Sequence, residues 1–353
     1  MNDSIPAIVL GGTGYVAGEL LRLIAGHPRL HTAAILSDSQ PGGSVAGAFP
    51  HLRSAYPDLT FSSLDQIDVL VRETPRCALF SAAPHGVAAA IIDRLLSAAA
   101  SAGTQIHCVD ISADFRYASA GAYEAVYKHA HGAPARISEF TCAVPEHLAS
   151  SPTPHVAHPG CFATATLLAG VPLLALGLTD HRLFVTGITG STGSGRRPVE
   201  GTHHPQRHSD LYSYGALSHR HVPEITACAA AASGVAAEFN FVPHSGPFAR
   251  GIHVTVQATL KRRVTTAQAI EELAAFYKGS RFVRVSDSSP RIKDVATSNY
   301  ANLSAVTNGT SIAVMSVLDN LNKGAAGGGM QWMNRLLGFD EGLGLTAPAP
   351  GWT

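Results

Sequence analysis

The sequence predicts an α/β protein with a doubly wound parallel sheet and a second α+β domain that contains a mixed or antiparallel sheet. In the first half of the chain, short apolar runs alternate with Ala- and Leu-rich segments of helical periodicity, which is typical of a parallel sheet covered by helices. From about Phe184 onward the pattern changes to strand-like runs with fewer helices. The length of 353 residues is sufficient for two such cores.

The elements of the first domain follow from the spacing of apolar residues. An apolar run, a glycine cluster and a segment with apolar residues at helical spacing predict the order strand, turn, helix near the N-terminus. We expect strands at Ile5–Leu10, His31–Leu36, Cys77–Ala82 and Ile106–Ile111, and helices at Tyr15–Ile24 and Val87–Ala100.

The second domain is expected to begin near a helix that starts at or just after Cys161. Further strands are expected at Phe239–Val242, Ile252–Leu260, Phe282–Val285 and Ser311–Leu318, and helices at Val222–Ala232 and Thr266–Tyr277. The tail from Leu321 to Phe339 is compatible with a helix that packs back onto the first domain. We therefore divide the chain into a first domain of residues 1–157, joined by the C-terminal helix of residues 319–353, and a second domain of residues 158–318.

Composition excludes several classes of partner. Lys plus Arg equals Asp plus Glu at 25 each, so no net charge favours binding to nucleic acid or to an anionic membrane. The five cysteines show no spacing of a metal site or a disulfide framework. The N-terminal segment lacks a basic region followed by a long apolar run, so we expect a cytoplasmic protein without signal peptide or spanning helix.

A glycine cluster follows the first predicted strand and precedes the first predicted helix. It reads Gly11-x-x-Gly14-x-x-Ala17, a spacing that lets the backbone approach a pyrophosphate while the helix N-terminus faces the negative charge. Glycines also serve ordinary turns, but the strand and helix on either side are the context that a dinucleotide site requires. The first domain is therefore predicted to be of the Rossmann type.

The residues after the second strand leave the choice of nicotinamide cofactor open. Asp38 stands where an acid usually binds a ribose 2′-hydroxyl and repels a 2′-phosphate, which favours NAD. The flanking Ser37 and Ser39 are able to donate hydrogen bonds to a 2′-phosphate instead.

The predicted second-domain helix places one thiol at its start. A helix N-terminus carries unpaired N–H groups and a partial positive charge, and both favour the thiolate of Cys161, the form that attacks a carbonyl carbon. The same N–H groups suit the oxyanion that forms after attack. The alternative is that Cys161 is a small buried apolar residue, as most cysteines are.

Three further loops leave predicted strands and carry polar groups. Ala83 to Gly86 lies at the carboxyl edge of the sheet, where ligands bind, or is a proline turn with a surface histidine. Asp110 to Arg116 offers a guanidinium to an anion or forms an internal ion pair. Gly187 to Arg196 offers N–H groups, hydroxyls and Arg196 to an oxyanion or phosphate, against the alternative of a flexible linker.

The 18 histidines divide into two groups of interest. His204 and His208, with His203 beside them, have helical spacing for a metal, but no carboxylate or thiol completes a set, so we expect no metal. His219 and His221 stand just before Pro223, which suits the first turn of a helix. Either is placed to serve as general acid or base beside Cys161.

Together these motifs resemble the N-acetyl-γ-glutamyl-phosphate reductase family, the third enzyme of arginine biosynthesis. The resemblance covers about Ile8 to Phe339. Its carriers are Gly11 to Glu19, Ala83 to Gly86, Asp110 to Arg116, Val144 to Glu146, His158 to Thr164, Gly193 to Arg196, His219 to Ile225, Phe241 to His244, Arg250 to Ile252 and Asp319 to Gly324.

The resemblance implies a two-domain relative of aspartate-semialdehyde dehydrogenase that reduces an acyl phosphate with NADPH. In this chemistry Cys161 attacks the γ-acyl phosphate, phosphate leaves, and the thioester accepts a hydride to give the semialdehyde. His219 is the implied proton carrier, with His221 as the reserve candidate.

Residues that bind cofactor and substrate are also predicted, and the choice of substrate-binding residues depends on charge and motif position alone. The predicted cofactor contacts are Gly11, Thr13, Gly14, Tyr15, Val16, Ser37, Ser39, Pro84, Gly193 and Asn320. The predicted substrate contacts are Arg116, Ser194, Arg196, His221, Glu224 and Arg250, among which Glu224 is expected to orient the histidine. Relatives suggest a homodimer or homotetramer, and the only partner expected beyond the cofactor is a small-molecule acyl phosphate.

Two positions depart from the family pattern. Ala17 replaces a common glycine, a change that the fingerprint tolerates because this position concerns helix packing. Asp38 occupies a region that is often Ser and Arg in the family, and it bears on the choice of NADP over NAD. Two other functions stay open: reduction of a related acyl phosphate, such as carrier-linked aminoadipyl phosphate or aspartyl phosphate, and a nucleotide-binding sensor without catalysis.

Overall fold

A computed structural model describes residues 4–37 and 39–352, and these residues form two compact units. The first unit contains residues 4–143 apart from Asp38, together with Ser150–His158 and Ala326–Leu345. The second unit contains Val144–Ala149, Pro159–Ala325 and residues 346–352. Asp38, on which the expectation about NAD partly depends, lies outside the described residues.

Within its described residues, the first unit contains a six-stranded sheet in the order β2-β1-β3-β4-β6-β5, in which every pairing is parallel. Its strands are β1 Ile5–Leu10, β2 Leu30–Ile35, β3 Arg76–Ser81, β4 Gln105–Asp110, β5 Phe140–Cys142 and β6 His155–Ala157. Its helices in the first 143 residues are α1 Tyr15–Ala25, α2 Val45–Ala48, α3 Leu64–Glu73, α4 Ala88–Ala102 and α5 Ala120–Tyr127.

The strand order reverses at β1, because β2 pairs on one side of it and β3 on the other. In doubly wound sheets, ligands bind beyond the carboxyl ends of the strands at such a point. The turn after β1 packs there against the chain that leaves β3: a β-carbon on Gly11 would lie 2.4 Å from the carbonyl oxygen of Ala82. The fold therefore brings the predicted glycine turn to the position where a dinucleotide is expected.

Within its described residues, the second unit contains a seven-stranded mixed sheet in the order β11-β12-β13-β10-β7-β9-β8. The strands are β7 Arg182–Thr189, β8 Tyr212–Ser213, β9 Glu238–Ser245, β10 Ile252–Thr259, β11 Val283–Val285, β12 Ala301–Thr307 and β13 Ser311–Leu318. The helices are α6 Cys161–Ala175, α7 His204–Arg207, α8 Val222–Ser233 and α9 Thr266–Phe276.

Helix α6 is the core of the second unit. It is apolar on all sides and almost every residue after Cys161 is buried, as expected of a helix that is covered all round. It packs on α8 and across strands β10 and β13. The start of α6 is therefore held by the core of its own unit.

The chain after β13 is where the helix expectation needs correction. It begins as a π-helical segment, Asn322–Ala326, which we call the π turn, and continues as α10 Gly327–Leu336. Residues Ala326–Leu345 belong to the first unit, where the Trp332 ring nitrogen donates to the carbonyl of Ala143 at 2.9 Å. Nothing in the residue spacing signals the change of helix type, because a π segment differs from an α-helix only in which carbonyl each N–H reaches.

The predicted fold class is confirmed. Ile5–Leu10 and Ser311–Leu318 have the predicted bounds, and other predicted elements agree within a few residues. The sequence reasoning gave no bounds for strands β5, β6, β7, β8 and β12 or for helices α2, α3, α5 and α7. Strands β5 and β6 have three residues each, too few for an alternating pattern to be seen.

Candidate active site

Cys161 is the first residue of α6, as the sequence predicts. The preceding Gly160 has extended backbone angles, and no described side chain caps the helix through a hydrogen bond. The N–H of Gly160 donates instead to Glu224 Oε1 at 2.9 Å, and Glu224 is almost fully buried. A β-carbon on Gly160 would lie 2.5 Å from His221 Nε2, so only glycine fits. Two predicted site residues, His221 and Glu224, therefore fix the entrance to α6.

A cavity of about 530 Å³ opens onto Cys161 in the second unit. Five predicted site residues line it, namely Cys161, Gly193, Ser194, His219 and His221. Other lining residues include Phe162, Thr189, Tyr214, Arg220 and Ser245. A volume of this size suits a small-molecule ligand.

His219 lies in this cavity among aromatic rings. Its ring makes edge contacts with Phe162, Phe241 and His221, with ring centres 4.7 to 5.9 Å apart. Burial, and secondarily the charge of Arg220, lowers the pKa of His219 to about 4, so the ring is neutral at pH 7. The backbone N–H of His221 donates to His219 Nδ1 at 3.2 Å. With Nδ1 occupied as an acceptor, the proton of the neutral ring is assigned to Nε2.

Tyr214 and Arg220 line the cavity but were not selected from the sequence. Burial, followed by the negative charge of Cys161, holds the pKa of Tyr214 well above its usual range. Its ring lies 5.7 Å from that of His219. Their nearness to His219 in the sequence was a usable signal for both, and Arg220 stands between the two selected histidines.

The glycine-rich loop after β7 is ordered by backbone contacts. It forms a 3₁₀ turn at Ser191–Ser194, and a β-carbon on Gly190 would lie 2.4 Å from the carbonyl of Ala249. Ser191 and Thr192 donate their backbone N–H groups to Phe248 and Ala249. Anchored in this way, the loop presents Gly193 and Ser194 to the cavity, whereas Arg196 is exposed and does not line it.

Asn320 also holds the glycine-rich loop after β7, through hydrogen bonds of its side-chain amide. Its Oδ1 accepts the N–H of Gly251 at 2.7 Å, and its Nδ2 donates to Thr192 Oγ1 at 3.0 Å. Within the second unit, Asn320 therefore fixes the position of the loop that lines the Cys161 cavity.

Two predicted anion-binding arginines bind protein groups within their own units. Arg116, in the first unit, is buried and donates to the carbonyls of His158 and Ile111 at 3.0 and 2.8 Å. Arg250, in the second unit, makes a bidentate ion pair with Asp319 at 3.0 and 2.9 Å. The structure does not place either guanidinium among the residues that line the Cys161 cavity.

The predicted cofactor residues of the first unit surround the N-terminus of α1. Gly11 has a φ of +79°, a conformation that favours glycine. Among the described residues, a β-carbon on Gly14 would meet only the carbonyl oxygen of Gly11, at 3.7 Å, so these residues leave the space beside Gly14 open. No described side chain caps α1 through a hydrogen bond. Thr13 and Val16 are half-buried beside this turn, and Tyr15 is exposed.

The remaining first-unit predictions lie at strand ends. Ser37, just after β2, is buried, accepts the N–H of Gln40 at 3.2 Å and lies 3.3 Å from the hydroxyl of the exposed Ser39. Pro84 is exposed in the loop that follows β3. In the same loop, His85 Nδ1 accepts the N–H of Ala113 at 3.0 Å.

The described residues contain neither a metal-binding cluster nor a helix able to span a membrane. No group of three or more His, Cys, Asp or Glu residues among them is placed to hold a metal ion. His204 and His208 stand near each other, with ring centres 5.3 Å apart. In the described part of the chain, no helix combines the length and the apolar character needed to cross a membrane.

Comparisons with known proteins extend over both units. Residues 6–150 match the family model described as "Semialdehyde dehydrogenase, NAD binding domain", and residues 161–320 match the model described as "Semialdehyde dehydrogenase, dimerisation domain". A Pseudomonas aeruginosa protein named N-acetyl-gamma-glutamyl-phosphate reductase is 39% identical over 97% of this chain and 98% of that protein. A protein of the same name from Azotobacter vinelandii is 38% identical with the same coverage.

Solved structures with a similar fold are aspartate semialdehyde dehydrogenases. The Vibrio cholerae enzyme II complexed with ASA has a TM-score of 0.65 at 14% identity, and the Candida albicans enzyme with NADP has a TM-score of 0.65 at 13% identity. In both cases the likeness covers 95% of this chain and 98% of the other. At these identities the likeness concerns the fold alone.

Proposed function

We infer the function of this chain from the family to which it belongs, the N-acetyl-γ-glutamyl-phosphate reductases, and from the geometry of the Cys161 cavity. The chain is an NADP-dependent oxidoreductase of arginine biosynthesis. It reduces N-acetyl-γ-glutamyl phosphate to N-acetylglutamate 5-semialdehyde and releases phosphate. The family resemblance seen in the sequence motifs is thereby confirmed.

The first unit fits a dinucleotide at the N-terminus of α1. The open space beside Gly14 and the uncapped N–H groups among the described residues suit a pyrophosphate, which helix N-termini bind well. In our proposal Gly11, Thr13, Gly14, Tyr15 and Val16 hold the pyrophosphate, and Ser37 and Ser39 the 2′-phosphate. Contacts of Pro84, Gly193 and Asn320 with the cofactor stay predictions.

Cys161 is the proposed nucleophile. Its thiolate attacks the γ-carbonyl carbon, the C–S bond forms, and the bond from that carbon to the phosphate oxygen breaks to leave a thioester. The departing phosphate takes up one proton from solution, so this half-reaction balances. The N–H groups at the start of α6 are placed to stabilise the thiolate and the oxyanion that forms on attack.

His219 is the proposed proton carrier. NADPH supplies, when bound, the hydride that converts the thioester into a hemithioacetal. His219 Nε2–H shares its proton through a hydrogen bond with the hemithioacetal oxyanion. This oxyanion reforms a carbonyl group as the C–S bond breaks, which releases the semialdehyde and regenerates the Cys161 thiolate. A neutral ring whose proton is on Nε2 suits this role, because it is a donor at the pH at which a thiolate persists.

The presence of Cys161 and a neutral His219 in one cavity is the observation that carries this mechanism. Arg220 and Ser194, which line the same cavity, are the proposed contacts for substrate anions. Roles of Arg116, Arg196 and Arg250 in substrate binding stay predictions, as does the division into a nucleotide domain of residues 1–157 with 319–353 and a catalytic domain of residues 158–318.

The test is phosphate-dependent oxidation of N-acetylglutamate semialdehyde, measured beside aspartate semialdehyde and with both nicotinamides. We expect the highest kcat/KM with N-acetylglutamate semialdehyde and NADP. A higher value with aspartate semialdehyde would contradict the substrate, and a clear preference for NAD would contradict the cofactor.

A homodimer or homotetramer is proposed, with the outer face of the mixed sheet as the interface. Alternate residues of β7 point away from α6, and Phe184 is 53% exposed; Val306 on β12 is 50% exposed. The match of residues 161–320 to a dimerisation domain supports this assignment. Light scattering is expected to show an oligomer that Phe184→Asp shifts toward monomer.

We place the protein in the cytoplasm, in keeping with a small soluble substrate and cofactor.

A further inference from the structure

The π turn lies directly against the proposed nucleophile. A β-carbon on Gly324 would stand 2.8 Å from Cys161 Cβ, 3.1 Å from Cys161 Cα and 3.2 Å from Leu318 Cδ1. Carbon atoms do not pack at 2.8 Å, and the groups to be displaced include the backbone at the start of α6. Gly324 does not have a positive φ. Glycine is therefore required here by space and not by backbone conformation.

A buried ion pair holds the π turn in place. The ammonium of Lys323 lies 2.6 Å from Glu146 Oε1, and the two side chains are 0% and 1% exposed. The same ammonium lies 5.7 Å from the centre of the Phe282 ring. Gly324 itself donates its N–H to the carbonyl of Asp319 at 2.9 Å. Charges buried to this degree are stable only in good geometry, so the pair fixes the backbone of Lys323 and with it that of Gly324.

We propose that Gly324 and the Glu146–Lys323 ion pair form a seat that positions Cys161 for catalysis. The proposal rests on Cys161 being the nucleophile. The seat acts on the β-carbon and α-carbon of Cys161, which are the atoms that a β-carbon at position 324 would meet first. The three seat residues hold the first residue of α6 so that its sulfur stays aligned with the N–H groups of the helix and with His219. Such alignment matters because a misplacement of about 1 Å can cost about 10²-fold in rate.

Helix α6 offers a matched control at a second glycine that lies further along its length. The Tyr277 hydroxyl donates to the carbonyl of Leu168 at 2.6 Å. Further along, a β-carbon on Gly170 would stand 3.2 Å from Phe239 and 3.4 Å from Leu183. Gly170→Ala therefore crowds the same helix in the same unit but does not contact Cys161. This variant therefore distinguishes a change in the packing of α6 from a change in the position of Cys161.

The experiment compares Gly324→Ala and Gly170→Ala in the full-length protein. The pH profile of Cys161 alkylation by iodoacetamide is followed by peptide mass spectrometry, beside kcat, KM and thermal unfolding. We expect Gly324→Ala to move the alkylation profile to higher pH and to lower kcat by about tenfold or more, with KM changed by less than about threefold. Gly170→Ala is expected to lower the melting temperature and leave the alkylation profile in place.

Glu146→Gln tests the seat from its other end, and serves alone if alanine at position 324 prevents folding. It removes the charge but keeps the shape, and we expect a shift of the alkylation profile in the same direction. An unchanged profile in folded Gly324→Ala or Glu146→Gln, or an equal shift in Gly170→Ala, would overturn the proposal. Alkylation needs no substrate, so this outcome is distinct from a failure of the proposed reaction, which would appear as an inactive wild type.

Discussion

Helices α1 and α6 both begin after a glycine, and in neither does a described side chain cap the helix through a hydrogen bond. Their surroundings differ. A β-carbon on Gly14, before α1, would meet one atom at 3.7 Å, whereas one on Gly160, before α6, would meet His221 Nε2 at 2.5 Å and Glu224 Oε1 at 2.9 Å. An open glycine leaves N–H groups to a ligand. A crowded glycine packs a reactive side chain among fixed neighbours.

This contrast shows that one local sequence signal serves two chemical purposes. In our proposal, the partial positive charge at the start of α1 binds a phosphate group of the cofactor. At α6 the corresponding charge is offered to a thiolate that is part of the chain, and neighbouring residues determine where that thiolate stands. Substitutions at the start of α1 and at the start of α6 should therefore have separate effects.

The largest expected effect is at α6. Cys161→Ser is expected to abolish reductase activity, because a serine hydroxyl is not ionised beside a helix N-terminus at pH 7 and does not form a reducible thioester. Initial rates report on the start of α6, and NADPH titration by fluorescence reports on the start of α1. NADPH affinity is expected to stay at the wild-type value, and a variant with normal turnover would refute the role of Cys161.

His219 is tested beside its neighbour. His219→Asn is expected to lower kcat by about 10²- to 10⁴-fold, the usual contribution of a general acid or base. His221→Asn is expected to have a smaller effect on kcat, through the packing of Gly160. Steady-state kinetics of the two variants, measured side by side, decide the assignment, and a larger loss in His221→Asn would transfer the proton role to that residue.

The proposed cofactor site at the start of α1 is tested by placing a negative charge in the open space beside Gly14. Gly14→Asp is expected to weaken NADPH binding about tenfold, equal to about 1.4 kcal/mol, because its carboxylate competes with the pyrophosphate. Gly14→Ala is the control and is expected to bind nearly as wild type. Cys161 alkylation should be unchanged in both. Equal affinity of Gly14→Asp and wild type would place the cofactor elsewhere.

The smallest expected effect is on stability at low pH. Burial lowers the pKa of His155 in the first unit and of His147 in the second to about 4, below the unfolded value of about 6.5. Unfolding then takes up protons between these values, so stability falls as the pH decreases from about 6.5 toward 4. Melting temperatures between pH 7.5 and 5 measure this fall, which His147→Gln should reduce. A stability independent of pH over this range would contradict the neutral buried rings.

The two helix starts were predictable because their signals are local. Gly11 to Gly14 and Gly160-Cys161 each stand between an apolar run and a helical segment, and the structure begins helices at Tyr15 and Cys161. The cavity around Cys161 was predictable only in part. His219 was found by resemblance, whereas the places of Tyr214 and Arg220 depend on the path of a loop about 50 to 60 residues further along the chain.

The arginines show that a positive charge within a motif does not by itself predict which group the guanidinium will bind. The motif around Arg250 gives no sign that Asp319, far along the chain, accepts two hydrogen bonds from its guanidinium. The crowding of Gly324 on Cys161 is likewise a contact between distant segments, and no periodicity reports it. Contacts of this kind are determined by the tertiary fold. They leave no pattern in the local sequence of either partner.

The most direct test of the central claim is to trap the thioester. The enzyme is incubated with N-acetyl-γ-glutamyl phosphate without NADPH, and the modified peptide is identified by mass spectrometry, with Cys161→Ser as the control. The account predicts one N-acetylglutamyl adduct on Cys161, released by hydroxylamine and absent from the variant. Phosphate release without an adduct on Cys161, or an adduct that persists in Cys161→Ser, would contradict it.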